Sequence, residues 1–266
     1  MRKITDINEL HAILLSILDE TIGFCRKSGL RCYLAGGTAL GAIRHKGFIP
    51  WDDDADLIMP RPDYERFLRE FKSPTLAVSW HGNNPRHFYP FAKVSDTRTV
   101  LREFNFAANE HGIHVDVFPI DGASRDPREW RAAVSRRQRL NVILVLRNLD
   151  LFRRGRPFAK SLAVLLASPL RLFSNRFLLS GLVRKAARHD FESSPMAGVQ
   201  VFGYDVREIL PQEAFSSGVE VPFEGRSFPV MKGWNEYLTA LFGDYMTPPP
   251  PEKRGTNHDF EAWWKD

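Results

Sequence analysis

Cysteine is scarce in this 266-residue chain: there are two, Cys25 and Cys32. A pair of thiols cannot build a disulfide framework. One falls in a predicted helix and the other in a predicted strand, so they read as small core residues in a reducing compartment. A zinc site would need more ligands than the pair supplies. Long apolar runs are missing as well. No stretch approaches the ~20 apolar residues needed to cross a bilayer, and the longest candidate, Ser161 to Leu170, is followed at once by Arg171. Near the start, Asp6, Glu9, Asp19 and Glu20 interrupt the apolar centre that a signal peptide requires. The expected location is cytoplasmic, peripheral to the inner membrane face. No internal repeat is visible, which argues against a solenoid. Acids are nearly absent from residues 128–189, where fifteen Lys/Arg face only Glu129 and Asp150, a net charge of +13. The rest of the chain then carries −8, so the overall +5 conceals a basic segment set on an acidic body.

What is present suffices for a packed core, with 43% hydrophobic and 26% charged residues. Leu10, Ile13, Leu14, Ile17, Leu18 and Ile22 recur at helical spacing behind Asp6 and Glu9, and Gly29 supplies the stop. Cys32 to Ala35 reads as a strand ending in Gly36-Gly37. Thr38 is placed to cap a short helix over 39–44, and Gly47 releases it. A second strand follows the acidic run and ends before Pro60 and Pro62. Tyr64, Phe67, Leu68 and Phe71 mark a helix. Further strands are expected at 75–80, 88–94 and 113–118, the last stopping before Pro119. Residues 127–148 and 158–188 read as helical, the second stretch broken near Pro169. The expected fold is α/β (α+β): a mixed sheet core with a helical, basic C-terminal half. Three parts are expected: a catalytic core over 1–125, a helical basic insertion over 126–228, and a segment over 229–266 that returns to the site.

The chemistry concentrates in Asp52-Asp-Asp-Ala-Asp56. Side chains alternate along a strand, so Asp54 and Asp56 share a face, their Cα atoms ~7 Å apart, and converge on one cation. Oxygen-only ligands favour Mg²⁺ or Mn²⁺ over zinc. Asp116 stands in an apolar strand between Val115 and Val117 and needs a partner there; a neighbouring strand carrying the metal would supply one. Gly36, Gly37 and Thr38 at a strand-to-helix junction let backbone N–H groups approach a phosphate. Arg44, His45 and Lys46 follow, and Arg44 can grip phosphate oxygens bidentately.

The stretch Gly36-Gly-Thr-Ala-Leu-Gly-Ala-Ile-Arg-His-Lys-Gly-Phe-Ile-Pro-Trp-Asp-Asp-Asp-Ala-Asp56 resembles the signature of the LicD family, which includes the fukutin-related proteins. The resemblance continues at Tyr89-Pro-Phe-Ala-Lys93, Val115-Asp-Val-Phe-Pro-Ile-Asp121 and Phe242-Gly-Asp-Tyr-Met-Thr-Pro-Pro-Pro-Pro-Glu-Lys-Arg254. It implies a nucleotidyltransferase-like fold. It also implies transfer of a substituted phosphate, phosphocholine or a polyol phosphate, from a CDP-activated donor to a glycan or glycolipid acceptor. By the same resemblance Asp54 and Asp56 are metal ligands assisted by Asp52, Asp116 is a base or third ligand, and Arg44, Lys93 and Arg254 line the substrate site. Trp51, Tyr89 and Trp234 offer ring faces to a choline ammonium.

Two other functions fit parts of the sequence. A metal-dependent glycosyltransferase also places an Asp-x-Asp on a nucleoside diphosphate. A non-catalytic protein binding anionic membranes would account for residues 151–189, which hold nine Lys/Arg, no acid and many Leu and Phe. Nucleic acid is not an expected partner, because no stacking platform interleaves with these basic residues.

Overall fold

The computed structural model describes residues 1–106, 110–151, 157–202, 205–256 and 259–266. The chain begins with β1 (Arg2–Ile4) and α1 (Ile7–Lys27). The predicted stripe of α1, Leu10 to Ile22, is the buried one, and Cys25 continues it. The Asp6 side chain accepts from Asn8 N–H at its start, and Gly29 follows its end at φ +65°. Then come β2 (Tyr33–Leu34), α2 (Gly36–His45), β3 (Asp56–Pro60) and α3 (Arg61–Glu70). Next are β4 (Leu76–Ser79), β5 (Ala92–Asp96), β6 (Thr99–Glu103), β7 (Glu110–His111) and β8 (His114–Ala123). The helical segment is α4 (Pro127–Asn148), α5 (Phe158–Ala167) and α6 (Asn175–Ala186), with a 3₁₀ turn at Ser168–Leu172. Pro169 lies in that turn, so the helix breaks where its sequence requires. The chain then rejoins the sheets through β9 (Met196–Val199), β10 (Leu210–Pro211), β11 (Gly218–Phe223) and β12 (Arg226–Met231). It closes with α7 (Trp234–Phe242) and β13 (Phe260–Trp264). The fold is α/β with mixed sheets.

The larger sheet runs β11-β12-β2-β3-β8, with β8 longest at its centre. β3 pairs parallel with β8 over 116–120. The opposite edge of β8 is shared, by β5 against 114–117 and by β9 against 120–123. Phe118 and Pro119 fall between those two partners. On that edge the missing N–H of Pro119 breaks no ladder bond, and the strand, in register with β3 there, runs through the proline instead of ending before it. Residues 88–91 are not strand as expected; the pairing begins at Ala92. Phe88, Tyr89 and Phe91 pack their rings on each other and on Phe106 and Phe118. Helices α1 and α3 and the strand interiors bury one continuous core, with Ile17, Leu18, Leu34, Leu57 and Phe67 inaccessible. Arg61 and Asp121 form a bidentate pair at 2.7 Å inside it, tying the start of α3 to β8. A smaller sheet, β1-β13-β6-β7, joins the two chain ends to the middle.

Candidate active site

The site is assembled on one face of the large sheet. Asp56 of β3 stands in register with Asp116 of β8, and Asp116 with Lys93 of β5. Ser79 of β4 is the next partner of Lys93. Registered neighbours project to the same side of a sheet, so these four side chains form a line across four strands. His114 and Ser95, two residues along and paired with each other, share that face. The Lys93 ammonium donates to both oxygens of Asp116, at 2.9 and 3.1 Å, and to His114 Nε2 at 2.8 Å. His114 Nδ1 lies 3.1 Å from the Gly112 carbonyl, which makes it the protonated nitrogen and leaves Nε2 as acceptor. Lys93 is 5% exposed, and its charge also rests 4.4 Å from the Tyr89 ring centre.

The other aspartates come from the turn before β3. One carboxylate oxygen from each of Asp52, Asp53 and Asp54 lies within 4.8 Å of the others. Asp54 thus stands just ahead of the strand, and Asp53, which the sequence did not single out, joins the group. Burial pushes the Asp56 carboxyl well above the usual carboxylate range, and the charges of Asp54, Asp116 and Asp52 push it further, against Lys93. Asp116 is raised by burial and held down by Lys93. These hard oxygen donors repel one another, and a small divalent cation relieves that repulsion. The donor set is all carboxylate oxygen, the ligand chemistry of hard divalent cations.

The α2 start positions the acids. Gly36 adopts φ +50° and donates its N–H to Tyr237 Oη at 3.2 Å. A Cβ on Gly37 would lie 2.7 Å from Asp52 Oδ2, so glycine makes room for that carboxylate. The helix begins at Gly36 with Ala35 at its cap. Thr38, expected as the cap, instead accepts the Asp56 N–H at 2.9 Å and fixes the head of β3 against α2.

At the other end of α2, Arg44 donates to the Tyr245 carbonyl at 2.8 Å, and His45 meets the Trp51 ring edge-on. Arg254 reaches the same place, its guanidinium 5.1 Å from the centre of the Trp51 ring. Burial and the nearby Arg254 lower the Arg44 pKa; burial and Arg44 lower that of His45. Crowded like charges of this kind suit an anionic ligand. Tyr89 and Trp51 each already face a protein cation, Lys93 and Arg254. Trp234 packs partly buried against the core.

Beside Lys93 a cavity of about 670 Å³ opens, bordered by Ser79, Asn84, Arg86, Tyr89, Ser95 and His111. Its size is that of small-molecule sites. Behind it, Asn84 donates to Ser79 Oγ, the Ser79 hydroxyl lies 3.1 Å from His87 Nδ1, and His87 Nε2 lies 2.7 Å from the Phe91 carbonyl. Sequence reasoning did not assign His87 or His114. His114 had a signal, since alternation along Ile113-His-Val-Asp116 puts it on the face of Asp116. His87 had none.

Residues 29–143 match the LicD/FKTN/FKRP nucleotidyltransferase domain. Over 99% of its length the chain is 30% identical to the lipopolysaccharide cholinephosphotransferase LicD of Haemophilus influenzae, and it covers 99% of that protein. A segment of 135 residues, 48% of the chain, is 26% identical to 11% of the mannosyltransferase regulator 4 of Saccharomyces cerevisiae. A further 70 residues, 25% of the chain, are 34% identical to 23% of an uncharacterised protein of Rickettsia typhi.

Proposed function

The chain belongs to the LicD family of phosphotransferases, and on that premise we propose that it moves a substituted phosphate from a CDP-activated donor to a hydroxyl of a cell-surface glycan or glycolipid. The group moved is phosphocholine or a polyol phosphate. The observation that carries this reading is the register of Asp56, Asp116 and Lys93 beside the Asp52–Asp54 group. The full-length similarity to a cholinephosphotransferase supports phosphate transfer over sugar transfer.

Asp116 accepts the proton of the attacking hydroxyl. Lys93 holds its carboxylate by both oxygens, and His114 accepts from the same ammonium and fixes it in place. The acceptor oxygen attacks the β-phosphorus, and CMP leaves with the electrons of the broken P–O bond. Arg44 and Arg254 take the donor phosphates, with His45 beside them and the Gly36-Gly37-Thr38 helix start adding its positive end. Lys93 reaches a phosphate only while sharing its charge with Asp116. Asp54 and Asp56, with Asp52, Asp53 and Asp116 around them, would hold Mg²⁺ or Mn²⁺, whose charge would neutralise the phosphates during transfer. Residues 1–125 form the catalytic core in this reading, and 126–228 are inserted into it. Residues 229–266 return to it, as the contacts of Tyr237, Tyr245 and Arg254 suggest. The enzyme works at the inner membrane face.

The test follows the phosphorus. Supplied with Mg²⁺, a panel of CDP-alcohols labelled in the β-phosphate should deliver label to the glycan and release CMP in equal amount. Label kept on a released nucleoside diphosphate would overturn the assignment and favour a glycosyltransferase.

A further inference from the structure

A helix on the surface of a soluble protein turns its apolar stripe inward. α5 does the reverse. Val164 and Ala167 face the protein and are buried. Phe158, Leu162, Leu165 and Leu166, spaced as one helical stripe, face solvent, and Leu172, Phe173 and Phe177 extend the surface past the 3₁₀ turn. Their exposure runs from 45% for Leu162 to 89% for Leu172. Contiguous exposed apolar area on this scale marks an interaction surface. Lys160, Arg176, Arg184 and Lys185 stand exposed along the same segment, and residues 151–189 hold no acid.

We propose that this face docks on an anionic lipid bilayer, with α5 lying in the plane of the headgroups. The charge selects that occupant. A segment of net +13 over residues 128–189 repels a second copy of itself and attracts acidic lipid. The geometry selects lying over crossing. Among the described residues no single helix is long and apolar enough to span a membrane, and the Phe158–Leu172 stretch meets α6 at 97°. Position gives the surface a use. A groove of about 510 Å³ lined by Phe106, Val142, Val145, Leu149 and Phe202 borders α5 at Lys160. Phe202 thus borders both the groove beside α5 and a small cavity at Asp56.

Binding needs no donor and no turnover, so the full chain is tested by flotation with vesicles whether or not transfer is observed. It should float with phosphatidylglycerol/phosphatidylethanolamine vesicles, at least tenfold less with pure phosphatidylcholine, and at least tenfold less again in 0.5 M salt by a steep salt law for exposed charges. Leu165→Glu with Leu166→Glu should abolish flotation and leave the melting temperature unchanged, since both side chains are already in water. Arg184→Gln with Lys185→Gln should weaken it severalfold. No flotation of the unaltered chain, or full flotation of the Leu165/Leu166 variant, overturns the proposal. So does a dimer in sedimentation that this variant dissolves while vesicles are ignored.

Discussion

Lys93 has three protons to donate, and the site spends them on Asp116 and His114 under the ring of Tyr89. A carboxylate so held is oriented before any substrate arrives, which is what a proton acceptor needs. Asp116→Asn should therefore lower kcat by about 10²–10⁴-fold while donor binding changes little, because a base acts chiefly in the transition state. Equal loss of kcat and donor affinity, read by equilibrium titration, would reassign Asp116 to binding. His87 carries a different expectation. Burial pushes its pKa down to about 4, helped by the nearby charge of Lys93 and opposed by the hydrogen bond to the Phe91 carbonyl. The folded pKa lies below the unfolded 6.5, so stability is whole above pH 6.5 and drains as pH falls toward 4. The drain amounts to about 3 kcal/mol, measurable as a falling urea midpoint between pH 7 and 4.5. His87→Gln should flatten that fall; a parallel fall would acquit the histidine. Strand alternation and the cost of burying a charge are local rules that drew attention to Asp56 and Asp116; Asp54, read as their partner on the strand face, instead stands before β3. The Lys93–Asp116 pair was not legible in sequence, since it exists only once β5 lies against β8.

At the scale of elements, α2 and β3 act as one piece. Thr38 holds the Asp56 backbone, Ala35 N–H donates to the Asp56 carbonyl at 3.0 Å, and Gly37 leaves space for Asp52. Gly37 is not among the residues with positive φ, so alanine fits the backbone and would favour the helix by up to ~1 kcal/mol. Gly37→Ala should nonetheless cut activity at least tenfold, because its methyl displaces Asp52, while the melting temperature holds or rises. Activity retained by a well-folded Gly37→Ala would mean that Asp52 is dispensable. Helix limits were readable where periodicity and punctuation agreed, as in α1 and in α4 over Pro127–Asn148. Strand limits were readable for β4 but not for β5 and β8. β5 starts later than its aromatic run suggests, and β8 crosses Pro119, because which edge is occupied by which neighbour is settled by topology and not by the residues themselves.

Over the whole molecule, charge is arranged against the stability of the fold at the acid cluster. The acidic body gathers Asp52, Asp53, Asp54, Asp56 and Asp116 in one place, with burial and mutual repulsion raising the Asp56 carboxyl. Removing one of those charges should stabilise the protein when no cation is present. In chelator, Asp56→Asn should melt above the unaltered chain by roughly 2–4 °C for each kcal/mol of repulsion relieved. Added Mg²⁺ should reverse the order. A cation that binds only the folded state contributes about 2.7 kcal/mol at a hundred times its dissociation constant, and the variant has lost a ligand. The two melting curves should then cross between chelator and Mg²⁺, while phosphate transfer is lost in Asp56→Asn and in Asp54→Asn under both conditions. A crossing ties the acids to a cation independently of any assay of turnover. Were Asp56→Asn the less stable protein in chelator as well, the carboxylate would be holding the fold together, and the metal would have to be sought at Asp52, Asp53 and Asp54 alone.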